Sequence, residues 1–311
     1  MMPGMAVTLD NGSLRAEFAE TGAELVSARR GGTEFVWGGD PAFWSGRCPV
    51  MFPICGRLPG GKYSWDGREY ALGTHGFARK SRFAVASATD VSVRFELRDS
   101  AETRAVYPFG FLFAVEYRLD GRAILASATV RNCGGAEMPF AVGFHPGFNV
   151  PVGGGSFSDW EVAFGAPCDP ERILFTEAGL QTGRREAFPL RGRVSMPLSH
   201  GMFDGDAVFL AGASRSAVLR SPRSPFSVEI GFPDFPYFGV WHPPRTEAPF
   251  VCLEPWSGLP SADVAAEDFA TKGDMARLAP GASRTWRATI RFSGPGDAPP
   301  GPAGPTVPPT A

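Results

Sequence analysis

Short runs of alternating apolar and polar residues, broken every few positions by glycine or proline, constrain this chain more than any other feature. Its 311 residues include 39 glycines and 30 prolines. They punctuate segments of β-branched and aromatic side chains instead of collecting in one linker. Val91, Val93, Phe95 and Leu97 alternate with polar neighbours, as do Phe226, Val228 and Ile230. A period of two places one side of an extended segment in a core and the other in solvent. Asn11-Gly12, Asp66-Gly67 and Asp120-Gly121 mark hairpins, because two-residue turns need positive φ, which Asn, Asp and Gly adopt with least strain. The last joins two apolar-rich runs, Phe111 to Leu119 and Arg122 to Val130. Further strands are expected at 217–220, 238–241, 251–254 and 285–292, with one short helix over 262–271 that Ser261 would cap. The pattern predicts an all-β fold, a large antiparallel β-sandwich over residues 1–293 as one domain. Residues 294–311 hold almost only Pro, Gly, Ala and Thr, too little apolar surface to offset the entropy of ordering, so a disordered tail is expected there.

Charge and cysteine usage exclude several classes. The formal net charge is -2 with Lys and Arg scattered, which gives no footprint for nucleic acid or an anionic membrane. No basic stretch followed by an apolar run opens the chain, and no segment approaches the roughly 18 apolar residues of a spanning helix. A cytoplasmic protein is expected. Cys48, Cys55, Cys133, Cys168 and Cys252 form no Cys-x-x-Cys pair, which argues for reduced thiols over a disulfide framework or a zinc ribbon. A Gly-x-Ser-x-Gly elbow, a Walker loop, a dinucleotide fingerprint and a His-Glu-x-x-His pair are all missing from the sequence.

The residues suited to chemistry stand in glycine-, proline- and aromatic-rich runs. His75 opens His75-Gly76-Phe77-Ala78-Arg79, and His145 lies in Gly143-Phe144-His145-Pro146-Gly147-Phe148-Asn149. Glycine beside a histidine lets a ligand approach the backbone, and proline fixes the local turn. Glu254 ends an apolar run ahead of Pro255-Trp256, a place for a candidate base. Arg57 offers a planar donor fork to hydroxyls or phosphate. Asp206, in Asp204-Gly205-Asp206, offers an acceptor, and Trp241 and Trp256 offer apolar faces to a sugar ring. Each also has an ordinary structural role open to it: a histidine satisfied within a loop, an ion pair at a strand end or surface, a turn aspartate, a core aromatic.

At these residues the sequence resembles the aldose 1-epimerase (galactose mutarotase) superfamily, in order from about Gly12 to Phe292. The likeness rests on Gly22-Ala23-Glu24-Leu25, Trp37 with Trp44, Phe52-Pro53 leading to Arg57, the two histidine runs and Glu254-Pro255-Trp256. The resemblance implies a β-supersandwich with an open cleft and an acid–base mechanism without metal or cofactor. It implies Glu254 as general base, His145 as general acid, and His75 and Arg57 as sugar-holding residues. Asp206 would be the substrate-binding aspartate, with Asp204 as the alternative. The His-Gly-Phe-Ala-Arg form is shared with bacterial members and with hexose-6-phosphate epimerases, so Arg79 would meet a substrate phosphate or form a structural ion pair. The expected activity is exchange of α and β anomers of an unphosphorylated aldohexose. A hexose-6-phosphate epimerase and a non-catalytic carbohydrate-binding domain are the alternatives. The expected partner is a small-molecule sugar, bound by a monomer or homodimer.

Overall fold

The computed structural model describes residues 6–297, and two large antiparallel sheets dominate it. One has nine strands, in the order Ser195–Pro197, Glu161–Phe164, Ser216–Arg220, Ser227–Gly231, Ser283–Ser293, Ala123–Asn132, Phe111–Asp120, Ser92–Arg98 and Ala84–Ala88. The other has eight. Its order is Gln181–Ala187, Glu171–Phe175, Val208–Ala211, Tyr237–Trp241, Phe250–Trp256, Gly143–Phe144 and Val50–Met51, with Gly147–Asn149 also paired to Phe250–Trp256. The two sheets face each other across a shared core in which Phe164 meets Phe238 at 5.9 Å and Phe148 meets Phe292 at 6.4 Å between ring centroids. The sandwich expected from the period-two pattern is therefore present, and the strands expected along the chain all form.

Three local expectations need correction. The pairing of Phe111–Asp120 with Ala123–Asn132 runs on to Asp120↔Ala123, so the turn is Gly121-Arg122, one residue later than Asp120-Gly121. Gly121, with φ 53°, supplies the positive φ that a type II′ turn needs at its first position. Asn11-Gly12 belongs to a four-residue loop in which Asn11 Oδ1 accepts from the Ser13 and Leu14 amides at 3.0 and 2.9 Å. Asp66-Gly67 is the two-residue turn expected, with φ 50° and 69°.

The third correction concerns the helix over 262–271, which does not form. The Asp263 amide donates to the Gln181 carbonyl, the Gln181 amide donates to the Ser261 carbonyl, and Glu267–Asp268 pairs as a strand with Lys62–Trp65. Those backbone groups are engaged across the fold and are not free to close a helix. The α-helix of the described residues is instead Ala101–Val106, capped by Ser100, whose side chain accepts from the Thr103 amide. Of the segment expected as tail, 294–297 is described and folds back. Asp297 accepts from the Gly294 amide at 2.8 Å and from Arg30, and it pairs with Arg122 at 3.0 Å. Residues 298–311 lie outside the described part. All five cysteines are unpaired, and no helix among the described residues is long and apolar enough to cross a membrane.

Candidate active site

The strand Phe250–Trp256 is buried along its whole length because both of its faces are covered. Val251 and Leu253 point into the inter-sheet core, whereas Phe250, Cys252 and Trp256 join separate clusters on the outer face. By alternation Glu254 shares that outer face. Gly143 pairs with Trp256 and Gly147 with Cys252. The register carries across the interval between them, so His145 stands opposite Glu254, and directly opposed residues share a face with Cβ atoms about 5 Å apart. The side chains meet, His145 Nε2 lying 3.2 Å from Glu254 Oε1.

On the other flank Gly239 pairs with Glu254 and also with Phe209. A Cβ on Gly239 would stand 2.6 Å from the Phe209 ring. The missing side chain thus lets Phe209 lean over the strand, where its ring comes 4.2 Å from that of Trp256.

These side chains floor an open cleft of about 360 Å3. Arg57, His75, Arg79, His145, Asp206, Trp241, Glu254 and Trp256, all singled out from the sequence, line it. Asp204 does not, being exposed at the end of the 3-10 turn His200–Phe203. Trp44, Thr74, Phe175 and Phe209 also line it. Sequence reasoning gave them no site role, because their places at the cleft follow from strand order and packing between distant segments, which no local pattern shows.

Burial governs the protonation of the facing pair. His145 and Glu254 are 7% and 1% exposed. Desolvation pushes the His145 pKa down to about 3 and lifts that of Glu254 well above the carboxylate range, with the nearby Asp206 charge lifting it further. At neutral pH the imidazole of His145 is therefore neutral, and burial favours the protonated form of the Glu254 carboxyl over the charged one. His145 Nδ1 and Glu254 Oε1 are buried without a hydrogen-bond partner, since the 3.2 Å approach is not aligned for one. The Trp256 indole N–H opposes the rise at Glu254 but is likewise unpartnered.

The residues around the pair are held in place by the fold. Gly56 donates its amide to His75 Nδ1 at 3.0 Å, which keeps the ring proton on Nε2 and leaves that N–H as a donor. Burial, His145, and the charges of Arg79 and Arg57 all push the His75 pKa down. His75 adopts φ 64°, and at Gly76 a Cβ would stand 2.3 Å from the Phe52 carbonyl oxygen, so the turn presenting His75 requires glycine there. Asp206 Oδ1 accepts from Trp241 Nε1 at 2.9 Å and from the Ala207 amide at 3.0 Å, while its second oxygen accepts no protein hydrogen bond among the described residues. Arg57 donates to the Ala178 carbonyl at 3.1 Å. Arg79 forms no ion pair among the described residues; Glu24 acts on it from a distance, and its Nε is buried without a partner. Aromatic rings enclose His145, Trp44 at 5.0 Å and Trp241 at 5.4 Å.

A two-sheet antiparallel sandwich with a polar, aromatic-walled cleft on the outer face of one sheet is the galactose mutarotase-like architecture. Solved structures agree: a galactose mutarotase related enzyme from Lactobacillus acidophilus is 33% identical with a TM-score of 0.88, over 93% of this chain and 97% of that one. A galactose mutarotase-like protein from Lactobacillus casei ATCC 334 is 32% identical with a TM-score of 0.87, over 93% and 100%. The chromosomal protein LacX of Lactococcus lactis subsp. lactis is 34% identical over 266 residues, 82% of this chain and 88% of that one. The family model for aldose 1-epimerase matches residues 5–291, and the chain belongs to that family.

Proposed function

We propose that this protein exchanges the α and β anomers of an aldohexose, with His145 and Glu254 as the acid–base pair. The observation that carries this reading is their apposition at 3.2 Å on the cleft floor. Anomer exchange needs two proton transfers at once: the C1 hydroxyl loses a proton while the ring oxygen gains one. The pair acts in the form with a carboxylate at Glu254 and an imidazolium at His145. Glu254 then takes the C1 hydroxyl proton as His145 protonates the ring oxygen, the C1–O5 bond breaks, and an open-chain aldehyde forms. Rotation about C1–C2 presents the other carbonyl face. O5 attacks it, returning its proton to His145, while Glu254 returns the other to O1. Every proton is restored, so no oxidant, reductant or covalent intermediate enters. Sugar hydroxyls at the pair would serve as polar partners for both groups.

His75 Nε2–H, the free Asp206 oxygen and the Arg57 fork would hold the ring, with Trp241 along its face. A role in binding alone is disfavoured, because a binder has no use for an acid and a base in contact.

A second reading, a sugar carrying a phosphate, is favoured by one observation: the cations Arg57 and Arg79 both line the cleft together with His75. Polarimetry on fresh α-glucose, α-galactose and α-glucose 6-phosphate separates the readings. Acceleration of the free sugars, little changed in Arg79→Ala, supports the first. Acceleration confined to the phosphate ester and lost in Arg79→Ala supports the second, and no acceleration of any of the three would refute both.

A further inference from the structure

Cys252 lies two residues before Glu254 on the same strand, and so on the same face of the sheet, opposite Gly147 and next to His145. One ligand atom from each of His145, Cys252 and Glu254 lies within 4.8 Å of the other two, and all three residues are buried. Bond lengths at tetrahedral zinc place neighbouring N, O and S ligands about 3.3–3.6 Å apart. The 3.2 Å between His145 Nε2 and Glu254 Oε1 already matches, and Cys252 needs a shift of about 1 Å at most. The geometry points to an inhibitory site for a soft or borderline divalent cation, of the Zn2+ and Co2+ class, built from His145, Cys252 and Glu254.

Several features define its chemistry. Imidazole, thiolate and carboxylate together select Zn2+ or Co2+ over Mg2+ and Ca2+, which prefer all-oxygen ligands. The ion enters from the cleft, which His145 and Glu254 line; Cys252 does not line it, being fully buried with a ligand atom within 4.8 Å of both. Three protein ligands leave a fourth position facing the cleft for water. The ion takes both proton-transfer groups, and its presence excludes anomer exchange.

The test titrates the purified protein with Co2+ and Zn2+, following Co2+–thiolate absorption and calorimetric stoichiometry beside the rate of anomer exchange. The expected result is one cation per chain with a tetrahedral Co2+ spectrum. Saturating Zn2+ should reduce exchange at least tenfold, reversibly with chelator. Cys252→Ala should keep exchange without metal, lose the thiolate absorption and be at least tenfold less sensitive to Zn2+. Cys252→Ser, closer in size, serves as the control for packing and should behave alike. Co2+ absorption or Zn2+ sensitivity unchanged in both variants would overturn the site, as would exchange that rises with bound metal. The absorption and stoichiometry do not depend on which sugar is the substrate, so failure of the metal site is distinguishable from failure of the epimerase reading.

Discussion

At the residue scale the site trades stability for function. Glu254 has a folded pKa raised above that of the unfolded chain, so the folded state binds the extra proton. Its contribution is fully favourable below the unfolded value, about 4.3, and is progressively lost as pH rises toward the folded value. Glu254→Gln removes this pH-dependent cost while keeping the shape. We expect Tm at pH 7 to rise by about 2 °C or more, and the gain to shrink toward pH 4, as calorimetry at the two pH values would read. Anomer exchange should fall in the same variant by about 10² to 10⁴-fold. His145, with its pKa pushed down to about 3, gives the second expectation. kcat/KM of the wild type should stay flat through pH 6.5, the ordinary histidine value, and decline only as the pair takes up a second proton near pH 3. A half-maximum near pH 6.5 would show that the pair is solvated in solution. None of this was legible in the sequence. The glycine and proline around His75 and His145 and the odd placement of Glu254 marked the residues, but protonation depends on burial that only the packed sheet creates.

At the scale of elements, what matters is register. The apolar run that ends at Glu254 could be read from residue types, but the opposition of His145 to Glu254 depends on pairing between strands far apart in the chain, which no local pattern encodes. The same holds for Gly239, which reads as one glycine among many yet gives the Phe209 ring its room beside Glu254. Gly239→Ala should force that ring toward the cleft, lowering stability by about 1–3 kcal/mol and raising KM for sugar more than it lowers kcat. Denaturant melts and steady-state kinetics check both. The helix expected over 262–271 failed for a related reason: its backbone groups are claimed by Gln181 and by the Lys62–Trp65 strand, partners distant in sequence. Hairpins, being local, were more legible: Asp66-Gly67 is the turn expected, the turn after Phe111–Asp120 lies one residue later, and Asn11-Gly12 opens a four-residue loop instead of a two-residue turn.

At the scale of the molecule the cleft draws on segments from Trp44 to Pro260, so its geometry exists only in the assembled sandwich. A sugar that binds this cleft stabilises the whole chain, by about 2.7 kcal/mol at one hundred times its Kd, and should raise a single Tm by several degrees. Inert polyols should not. The sandwich itself was the most legible feature, because period two, turn residues and the scarcity of helical runs agree along most of the chain. The most direct test of the acid–base pair compares anomer exchange, by magnetisation-transfer NMR on the preferred sugar, in wild type, Glu254→Gln, His145→Asn and the double variant. Two groups acting in one concerted transfer should give single variants nearly as slow as the double. Single variants that keep wild-type exchange, or losses that simply multiply in the double, would contradict it.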